Sequence, residues 1–272
     1  MTRPGLNRRA SAELAAQAWV EVSELLDLQL SPLGLWAIAA LDPQPGETVV
    51  DVGCGAGQSV LQLAERVGSA GGVIGVDIAP RLLALASQRA AELGQARFVE
   101  ADAQSVTLPD ASADAVFSRF GVMAFADPVA AFANLRRILK PGGRLAFVCW
   151  RALAENELDL MPLQAAGLEA MADATPFSFA DAAIVRATLE AAGFEAVTAR
   201  AHDAPVSSGD ADAMATVLLR VGPLGRILRE TPALRATAEP RLRAALVARE
   251  TDGAVALTAA TWVVTGQRPP AS

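Results

Sequence analysis

Three glycines, Gly53, Gly55 and Gly57, alternate with other residues where a predicted strand ends and a predicted helix begins. Because glycine has no Cβ atom, such a loop can turn tightly at positive φ and let a ligand approach its backbone. Asp51 precedes the first glycine by two residues, and Asp77 closes the next predicted strand. A carboxylate at the end of that strand can accept hydrogen bonds from both hydroxyls of a ribose. The pattern therefore predicts a nucleoside-derived ligand.

The spacing of the glycines distinguishes two classes of such ligands. A dinucleotide-binding loop has the pattern Gly-x-Gly-x-x-Gly, whereas this loop has Gly-x-Gly-x-Gly followed by Gln58. Asp51 would repel a pyrophosphate, but its charge complements a ligand that carries an ammonium and a sulfonium group. Charge complementarity therefore favours S-adenosylmethionine over NAD as the cofactor. A glycine-rich turn that binds no ligand is the alternative, and the presence of Asp51 and Asp77 argues against it.

Strands and helices alternate around this loop, which is typical of parallel strands joined by right-handed crossovers. The predicted strands span residues 48–52, 73–77, 96–101, 113–118, 144–150, 195–201 and 254–265. Predicted helices span residues 10–28, 33–41 (opened by Pro32), 58–67, 80–93, 128–139 and 181–192. The strands are continuous apolar runs, as expected when helices cover both faces of the sheet. The sequence predicts an α/β fold with a seven-stranded, mostly parallel sheet.

The chain divides into a core and segments that cover it. The predicted divisions are N-terminal helices as a cover or lid (1–44), a cofactor-binding core (45–150), a lid insertion (151–180), a core helix and strand (181–203), a helical lid insertion (204–252), and a last strand and tail (253–272). Both insertions follow predicted strands and therefore leave the carboxyl edge of the sheet. Ligands bind at that edge in open α/β sheets, so we expect a helical lid over the site.

The composition restricts the classes of partner. The chain has 272 residues and a formal net charge of −7, so we expect no nucleic acid partner, because phosphate binding needs a basic surface. It lacks a run of about 20 apolar residues, so we expect no membrane span. Acidic residues soon after Arg8 and Arg9 argue against an export signal, and we expect a cytoplasmic protein. Cys54 and Cys149 lie in apolar segments and are expected to be reduced thiols, and we expect no metal site.

Four segments resemble the successive motifs of the class I S-adenosylmethionine-dependent methyltransferases. They span residues 49–59, 73–80, 98–104 and 113–150. Within the last segment, three stretches resemble the small-molecule branch near the ubiquinone and menaquinone methyltransferases: Ser118-Arg119-Phe120-Gly121, Phe125-Ala126-Asp127-Pro128 and Leu-Arg-Arg-Ile-Leu-Lys-Pro-Gly-Gly. The resemblance is close over residues 45–150 and loose elsewhere. It implies a Rossmann-like fold with helices on both faces of the sheet, S-adenosylmethionine as the cofactor and methyl transfer to a small molecule.

The resemblance also implies roles for the residues of the glycine loop and its acidic partners. Gly53, Gly55 and Gly57 would line the methionine part of the cofactor. Asp51 would brace the loop and face the ammonium group, directly or through water. Asp77 would hold the two ribose hydroxyls.

Five further cofactor-binding residues are implied in the same way. Ile78 would pack on the adenine, Asp102 would accept a hydrogen bond from the adenine amino group, and Ala103 would offer its backbone amide to the ring. Ser118 and Arg119 would lie beside the methionine end. The alternatives are that Ile78 belongs to the core, that Asp102 only shapes a turn and that Arg119 is a solvated loop charge.

Methyl transfer from a sulfonium is an in-line displacement, so the main task of the protein is to align the acceptor and exclude water. A base is needed only if the acceptor must lose a proton. His202 is the single histidine of the chain and follows the predicted strand 195–201, so it is the candidate catalytic base. An exposed histidine at a strand end is the alternative.

The acceptor is predicted to be a small hydrophobic or aromatic molecule. Phe120, Met123 and Phe125 are expected to line its pocket, together with apolar residues of the two insertions. A protein of the same fold that binds S-adenosylmethionine but catalyses a rearrangement, or acts as a regulator, is the alternative function. A nicotinamide-dependent reductase is disfavoured, because the chain has no tyrosine for a proton relay. The N-terminal helices could form a lid, the surface of a homodimer or both.

Overall fold

The structure, a computed structural model, describes residues 8–271 of the chain. Residues 1–7 of the predicted N-terminal cover, and Ser272 of the predicted tail, lie outside the described residues. The prediction about an export signal concerns the same end of the chain and is not addressed by the described part.

Seven strands form one sheet in the order β3-β2-β1-β4-β5-β7-β6. They are β1 Thr48–Val52, β2 Gly72–Asp77, β3 Ala96–Glu100, β4 Ala113–Arg119, β5 Leu139–Trp150, β6 Glu195–Val206 and β7 Leu257–Gln267. β7 is antiparallel to its neighbours β5 and β6, and the other strands run parallel to one another. The predicted seven-stranded, mostly parallel sheet is confirmed.

Ten α-helices lie within residues 8–271. They are α1 Arg8–Glu21, α2 Ser23–Leu41, α3 Gln58–Val67, α4 Pro80–Arg89, α5 Pro128–Ile138, α6 Glu157–Ala166, α7 Ala182–Ala191, α8 Ala211–Leu218, α9 Gly222–Glu230 and α10 Arg235–Val247. Local sequence explains several of their first residues. Asp127 accepts a hydrogen bond from the amide of Ala130 at 3.0 Å, and Pro128 occupies the first turn of α5.

Helices cover both faces of the sheet, as predicted. On one face, Leu33 of α2 and Leu63 of α3 share a hydrophobic cluster with Phe117 of β4. On the other face, Phe132 of α5 shares a cluster with Phe147 of β5. These side chains are fully buried. Successive residues of a strand point to opposite faces, so the continuous apolar strands supply both clusters.

The two insertions pack together at the carboxyl edge of the sheet. α6 leaves the end of β5, whereas α8, α9 and α10 follow the end of β6. α6 packs against α9 and α10, and α8 packs against α10 and α2. The insertions therefore form one layer of helices, which we call the helical layer. Its function as a lid stays a prediction.

Three predicted boundaries are wrong. The break between the first two helices lies at Val22 and not near Pro32, which sits inside α2. Pro32 is tolerated because the carbonyl that it leaves without a partner belongs to Leu28, an exposed residue. β6 continues to Val206, five residues beyond its predicted end, because its backbone keeps pairing with β7. β7 in turn begins at Leu257 and not at residue 254.

Among the described helices, α2 is long and apolar enough to cross a membrane, with a mean hydropathy of 1.2. In this fold, 44% of that apolar window is buried, and the helix packs along β4, β5 and β7. The core helix of a folded domain has the same properties, so α2 is weak evidence for a membrane span.

Replacing Phe132 should destabilise the fold strongly. Its ring contacts Phe125, Phe147, Phe179 and Phe194 with centroid distances between 5.6 and 6.5 Å. Phe132→Ala should lower the free energy of unfolding by about 3–5 kcal/mol, because it leaves a cavity in a closed cluster. Urea denaturation measures this change.

The matched control is Val129→Ala on the same helix, where the side chain is 39% exposed. A loss of less than about 1 kcal/mol is expected there. Equal losses in the two variants would contradict the assignment of Phe132 to the core.

Candidate functional site

The glycine loop between β1 and α3 has the predicted conformation. Gly53, Gly55 and Gly57 all have positive φ angles, of 70°, 53° and 85°. The amides of Gly53 and Cys54 donate to the carbonyl of Val76 at 2.8 and 3.1 Å, which fixes the loop to β2. A Cβ atom on Gly55 would meet no atom within 4 Å, so this part of the backbone faces open space. The loop is therefore accessible to a ligand.

The loop after β4 lies directly against the glycine loop. A Cβ atom on Gly53 would come within 2.7 Å of the Cα atom of Gly121. The hydroxyl of Ser118 donates to the carbonyl of Val52 at 2.7 Å and accepts from the amide of Gly121 at 3.1 Å. Ser118 is fully buried, so its role in the described structure is to hold the two loops together.

Asp51 is a buried carboxylate with one unused oxygen. Its Oδ2 atom accepts a hydrogen bond from the hydroxyl of Ser59 at 2.5 Å, while Oδ1 has no partner among the described residues. Burial raises the pKa of Asp51 from 3.8 to about 7. The bond from Ser59 and the charge of Arg119 oppose this rise, and the charge of Asp77 adds to it. An ammonium group beside Oδ1 would supply the missing partner.

Asp77 stands at the end of β2 and is bound to the glycine loop. Its Oδ2 atom accepts from the amide of Gly55, and Oδ1 accepts from the amide of Ala79, both at 2.9 Å. Burial raises the pKa of Asp77, and these backbone hydrogen bonds oppose the rise. Each oxygen keeps a lone pair for a further donor. The next residue, Ile78, is 67% exposed, which is uncommon for a large apolar side chain and leaves it free to contact a flat ring.

Asp102 and Ala103 follow β3, beside the end of β2. Asp102 is exposed and accepts hydrogen bonds from the backbone and side-chain nitrogens of Gln104, both at 2.9 Å. Ala103 is buried, and its carbonyl accepts from Asn134 at 3.2 Å. The turn is therefore held by its own side chains, and the implied contacts with an adenine stay predictions.

A cluster of charged residues that the sequence did not predict connects α2 to the glycine loop. Asp27 of α2 accepts a hydrogen bond from Arg89 of α4 at 2.8 Å and lies 3.8 Å from Arg119. Arg89 also donates to the carbonyl of Ala56 at 3.2 Å. Arg119 donates to the side chain of Gln58, which itself donates to the carbonyl of Asp27 at 3.2 Å. We call Asp27, Gln58, Arg89 and Arg119 the polar cluster.

Burial shapes the electrostatics of this cluster. Desolvation raises the pKa of Asp27, although the charges of Arg89 and Arg119 oppose that rise. Desolvation lowers the pKa of Arg119, against the charges of Asp27 and Asp51. Arg119 is therefore a buried partner of two carboxylates and not a solvated loop charge. Its side chain also lies against Gly34 of α2, where a Cβ atom would be 2.9 Å from Cδ.

The predicted pocket residues follow β4 at the same edge. Phe120 has a positive φ of 63° and stacks on Trp150, with 4.0 Å between the ring centroids. Met123 is buried and its sulfur accepts from the amide of Trp150 at 3.4 Å. Phe125 packs edge-on against Phe132, on the side of α5. Phe120 and Met123 are thus grouped at the end of β5, whereas Phe125 adjoins the core.

The expectation that His202 ends its strand is wrong. β6 continues to Val206, and His202 pairs with Thr261 within the ladder. Its ring lies edge-on to Trp36 of α2, with 4.1 Å between the centroids. Three strands separate β6 from β1, which corresponds to roughly 19 Å across the sheet. The geometry gives no support to a catalytic role for His202, which stays untested.

Some of the residues that the sequence did not single out carry partial signals. Asp27 is a charged residue on the otherwise apolar, core-facing pattern of α2, and this is the one hint available before folding. Arg89 gives no comparable hint, because it occupies the last turn of α4, where basic residues are common. Trp150 closes β5, so its place at the carboxyl edge follows from the predicted strand.

Comparisons with known proteins bear on residues 50–147, which match a family model described as a methyltransferase domain. Aklanonic acid methyltransferase of Streptomyces sp. (strain C5) is 38% identical over 119 residues, 43% of this chain and 54% of that protein. Demethylmenaquinone methyltransferase of Thermus thermophilus is 43% identical over 107 residues, 39% of this chain and 48% of that protein. The chain thus matches about half the length of these curated relatives.

The fold comparison covers more of the chain. The crystal structure of the YcgJ protein from Bacillus subtilis superposes with a TM-score of 0.59 and 21% identity, covering 88% of this chain and 98% of that one. The fold is therefore Rossmann-like and of the methyltransferase type. Residues 50–147 form a class I S-adenosylmethionine-dependent methyltransferase domain, of the branch that acts on small molecules.

Replacing Gly121 should separate the two loops. A Cβ atom there would lie 2.9 Å from the Cα atom of Gly53 and closer still to the carbonyl oxygen of Val52, so the backbone must shift. Gly121→Ala should lower the free energy of unfolding by about 1–3 kcal/mol. Gly94→Ala is the matched control, because its Cβ atom would meet nothing within 4 Å. Urea denaturation that gave the same midpoint for both variants would contradict the close approach.

The buried carboxylate of Asp51 should make stability depend on pH. Its pKa is about 7 in the folded protein against an ordinary 3.8, so the folded state keeps a proton that the unfolded state releases between these values. Stability contributed by this proton is complete below about pH 4 and is lost as the pH rises to about 7. The loss is at most about 4 kcal/mol.

Asp51→Asn removes the titration while keeping an oxygen that can accept from Ser59. The variant should gain stability relative to wild type at pH 8 but not at pH 4, as measured by urea denaturation at both values. A difference between the two proteins that does not change with pH would show that Asp51 is ionised in the folded state over this range.

Proposed function

We propose that the protein transfers a methyl group from S-adenosylmethionine to a small hydrophobic or aromatic acceptor. The unused oxygen of the buried Asp51 carboxylate, beside an open glycine loop, is the observation that carries this proposal. A buried carboxylate oxygen without a partner is costly, and a cationic ligand group would relieve that cost. The match of residues 50–147 to a methyltransferase domain supports the same conclusion.

The residues of the site fit this cofactor from one end to the other. Asp51 would face the ammonium group, and the backbone of Gly55 leaves room for the methionine chain. Arg119 is a buried cation that could balance the carboxylate of the methionine part. Asp77 would accept from the ribose hydroxyls, and the exposed Ile78 would pack on the adenine. The bound sulfonium supplies an activated methyl group, which is the chemistry that the protein itself lacks.

The remaining task of the chain is to align the acceptor and to exclude water. α2 is suited to the second task, because the polar cluster ties it to the glycine loop, to α4 and to the end of β4. The helical layer could close the other side of the site as a lid. Phe120 and Trp150 form an aromatic platform at the end of the central strands, on which a flat acceptor could lie.

An apolar acceptor is supported by the character of the helical layer. Its inward side chains are apolar, and many of them, including Met161, Leu163 and Met214, are fully or almost fully buried. The two relatives are named for aklanonic acid and demethylmenaquinone. We extend from these names a hydrophobic or aromatic acceptor, without assigning either compound to this chain.

The other predictions about function keep their status as proposals. A protein that binds S-adenosylmethionine without methylating anything remains the second candidate, since His202 offers no base at the site. A homodimer, a cytoplasmic location and the absence of a nucleic acid partner are untested expectations. Formation of S-adenosylhomocysteine together with a methylated product distinguishes the methyltransferase from the second candidate.

Calorimetric titration with S-adenosylhomocysteine tests the cofactor. Wild type should bind it, and Asp77→Ala should weaken binding by about 1.5–3 kcal/mol, because a hydrogen-bonded carboxylate is lost from the ribose site. Asp110→Ala, which removes a 76% exposed carboxylate far from the loop, is the control and should bind as wild type does. Binding of NADH but not of S-adenosylhomocysteine by wild type would sink the proposal.

A further inference from the structure

Asp159 is a buried carboxylate that the proposed cofactor site does not use. It lies in the first turn of α6, in the helical layer, and is 7% exposed. Within the described part of the chain, no hydrogen-bond donor and no cationic side chain contacts its carboxylate. Desolvation by burial is the single cause that raises its pKa, to about 7.

The neighbours of Asp159 on the chain show that this lack of partners is particular to it. Asn156 is fully buried, but it donates to the carbonyls of Arg151 and Ala152 and accepts from the amide of Ala260. Glu157 is partly exposed and accepts from the amide of Thr258 at 3.1 Å. Both serve to fasten the start of α6 to β5 and β7. Asp159 has no such structural bond.

The position of Asp159 is on the lid side of the carboxyl edge. Leu158 belongs to the hydrophobic cluster against which Phe120 and Trp150 also pack. On its other side, a Cβ atom on Gly222, the first residue of α9, would lie 3.1 Å from Oδ1 of Asp159. α9 begins without a side-chain cap, so its amide end leaves a positive field next to this carboxylate.

We propose that Asp159 binds and deprotonates an acidic hydroxyl group of the acceptor, which makes the protein an O-methyltransferase for a phenol or an enol. The inference rests on the proposed methyl transfer and narrows its substrate class. The hydroxyl O–H bond breaks and its proton passes to Asp159. The acceptor oxygen forms a bond to the methyl carbon, and the sulfur keeps the electron pair of the broken S–C bond and loses its positive charge.

A hydroxyl group satisfies the physical requirements of this position. An unpaired buried carboxylate is costly, and a donor from the acceptor would remove that cost on binding. A base with a pKa near 7 can take a proton at neutral pH. An already methylated product has no proton to donate, so its binding would be weaker and its release favoured.

Binding of a matched pair of probes tests the contact without any turnover. The protein loaded with S-adenosylhomocysteine is titrated with 2-naphthol and with 2-methoxynaphthalene, using calorimetry. Wild type should prefer the naphthol by at least about tenfold, the value of one hydrogen bond to a charged group. Asp159→Asn should lose most of this preference. Asp212→Asn removes an 87% exposed carboxylate of α8 and should behave as wild type.

Turnover with trideuteromethyl S-adenosylmethionine tests the chemistry. The acceptors are 2-naphthol, 2-hydroxy-1,4-naphthoquinone and 2-naphthylamine, and mass spectrometry identifies the labelled product. Wild type should label an oxygen of a hydroxylated probe. Asp159→Asn should be slower by at least about 100-fold, the lower range for loss of a general base. Its affinity for S-adenosylhomocysteine should stay within twofold, and its melting temperature should not fall, because an unpaired buried charge is removed.

The possible failures are distinguishable. If wild type does not bind S-adenosylhomocysteine, the proposed function fails. If it binds this compound but methylates no hydroxylated probe, or methylates only the amine, the assignment of Asp159 fails. A rate for Asp159→Asn within threefold of wild type also overturns it. A lowered melting temperature with unchanged probe preference would show that Asp159 only stabilises the helical layer.

Discussion

The rest of the site depends on the contact between the two backbone loops that follow β1 and β4. Gly53 and Gly121 lie too close for either residue to carry a Cβ atom, and Ser118 bonds to both loops. The contact exists because β1 and β4 are adjacent parallel strands whose carboxyl ends meet at one edge. It fixes the bend of the glycine loop, and this bend determines the space beside Asp51.

The second constraint is the cost of burying charge next to that loop. Asp27, Asp51, Arg89 and Arg119 lie close together, and their formal charges cancel when all are ionised. Desolvation nevertheless raises the pKa of both carboxylates. Such a group of buried charges contributes little to stability and is typical of a functional site. A zwitterionic methionine chain would match it, with a cation for Asp51 and an anion for the arginines.

The predictions from sequence were most accurate where local pattern decides structure. β1 and α3 have their predicted bounds, because a short apolar run, a glycine loop and an amphipathic helix follow one another. The predictions failed at Pro32 and at the end of β6. In both places a long-range partner decided: α2 continues through Pro32 because it packs along the sheet, and β6 continues to Val206 because β7 pairs with it.

The sequence by itself determined the layered fold and the glycine loop with Asp51 and Asp77, because these features follow from periodicity and from spacing within about 30 residues. The tertiary structure alone decided that Asp27 meets Arg89, 62 residues away, and that Asp159 is buried without a partner. Which side chains share a desolvated space depends on how helices pack, and no local pattern of residue types encodes that packing.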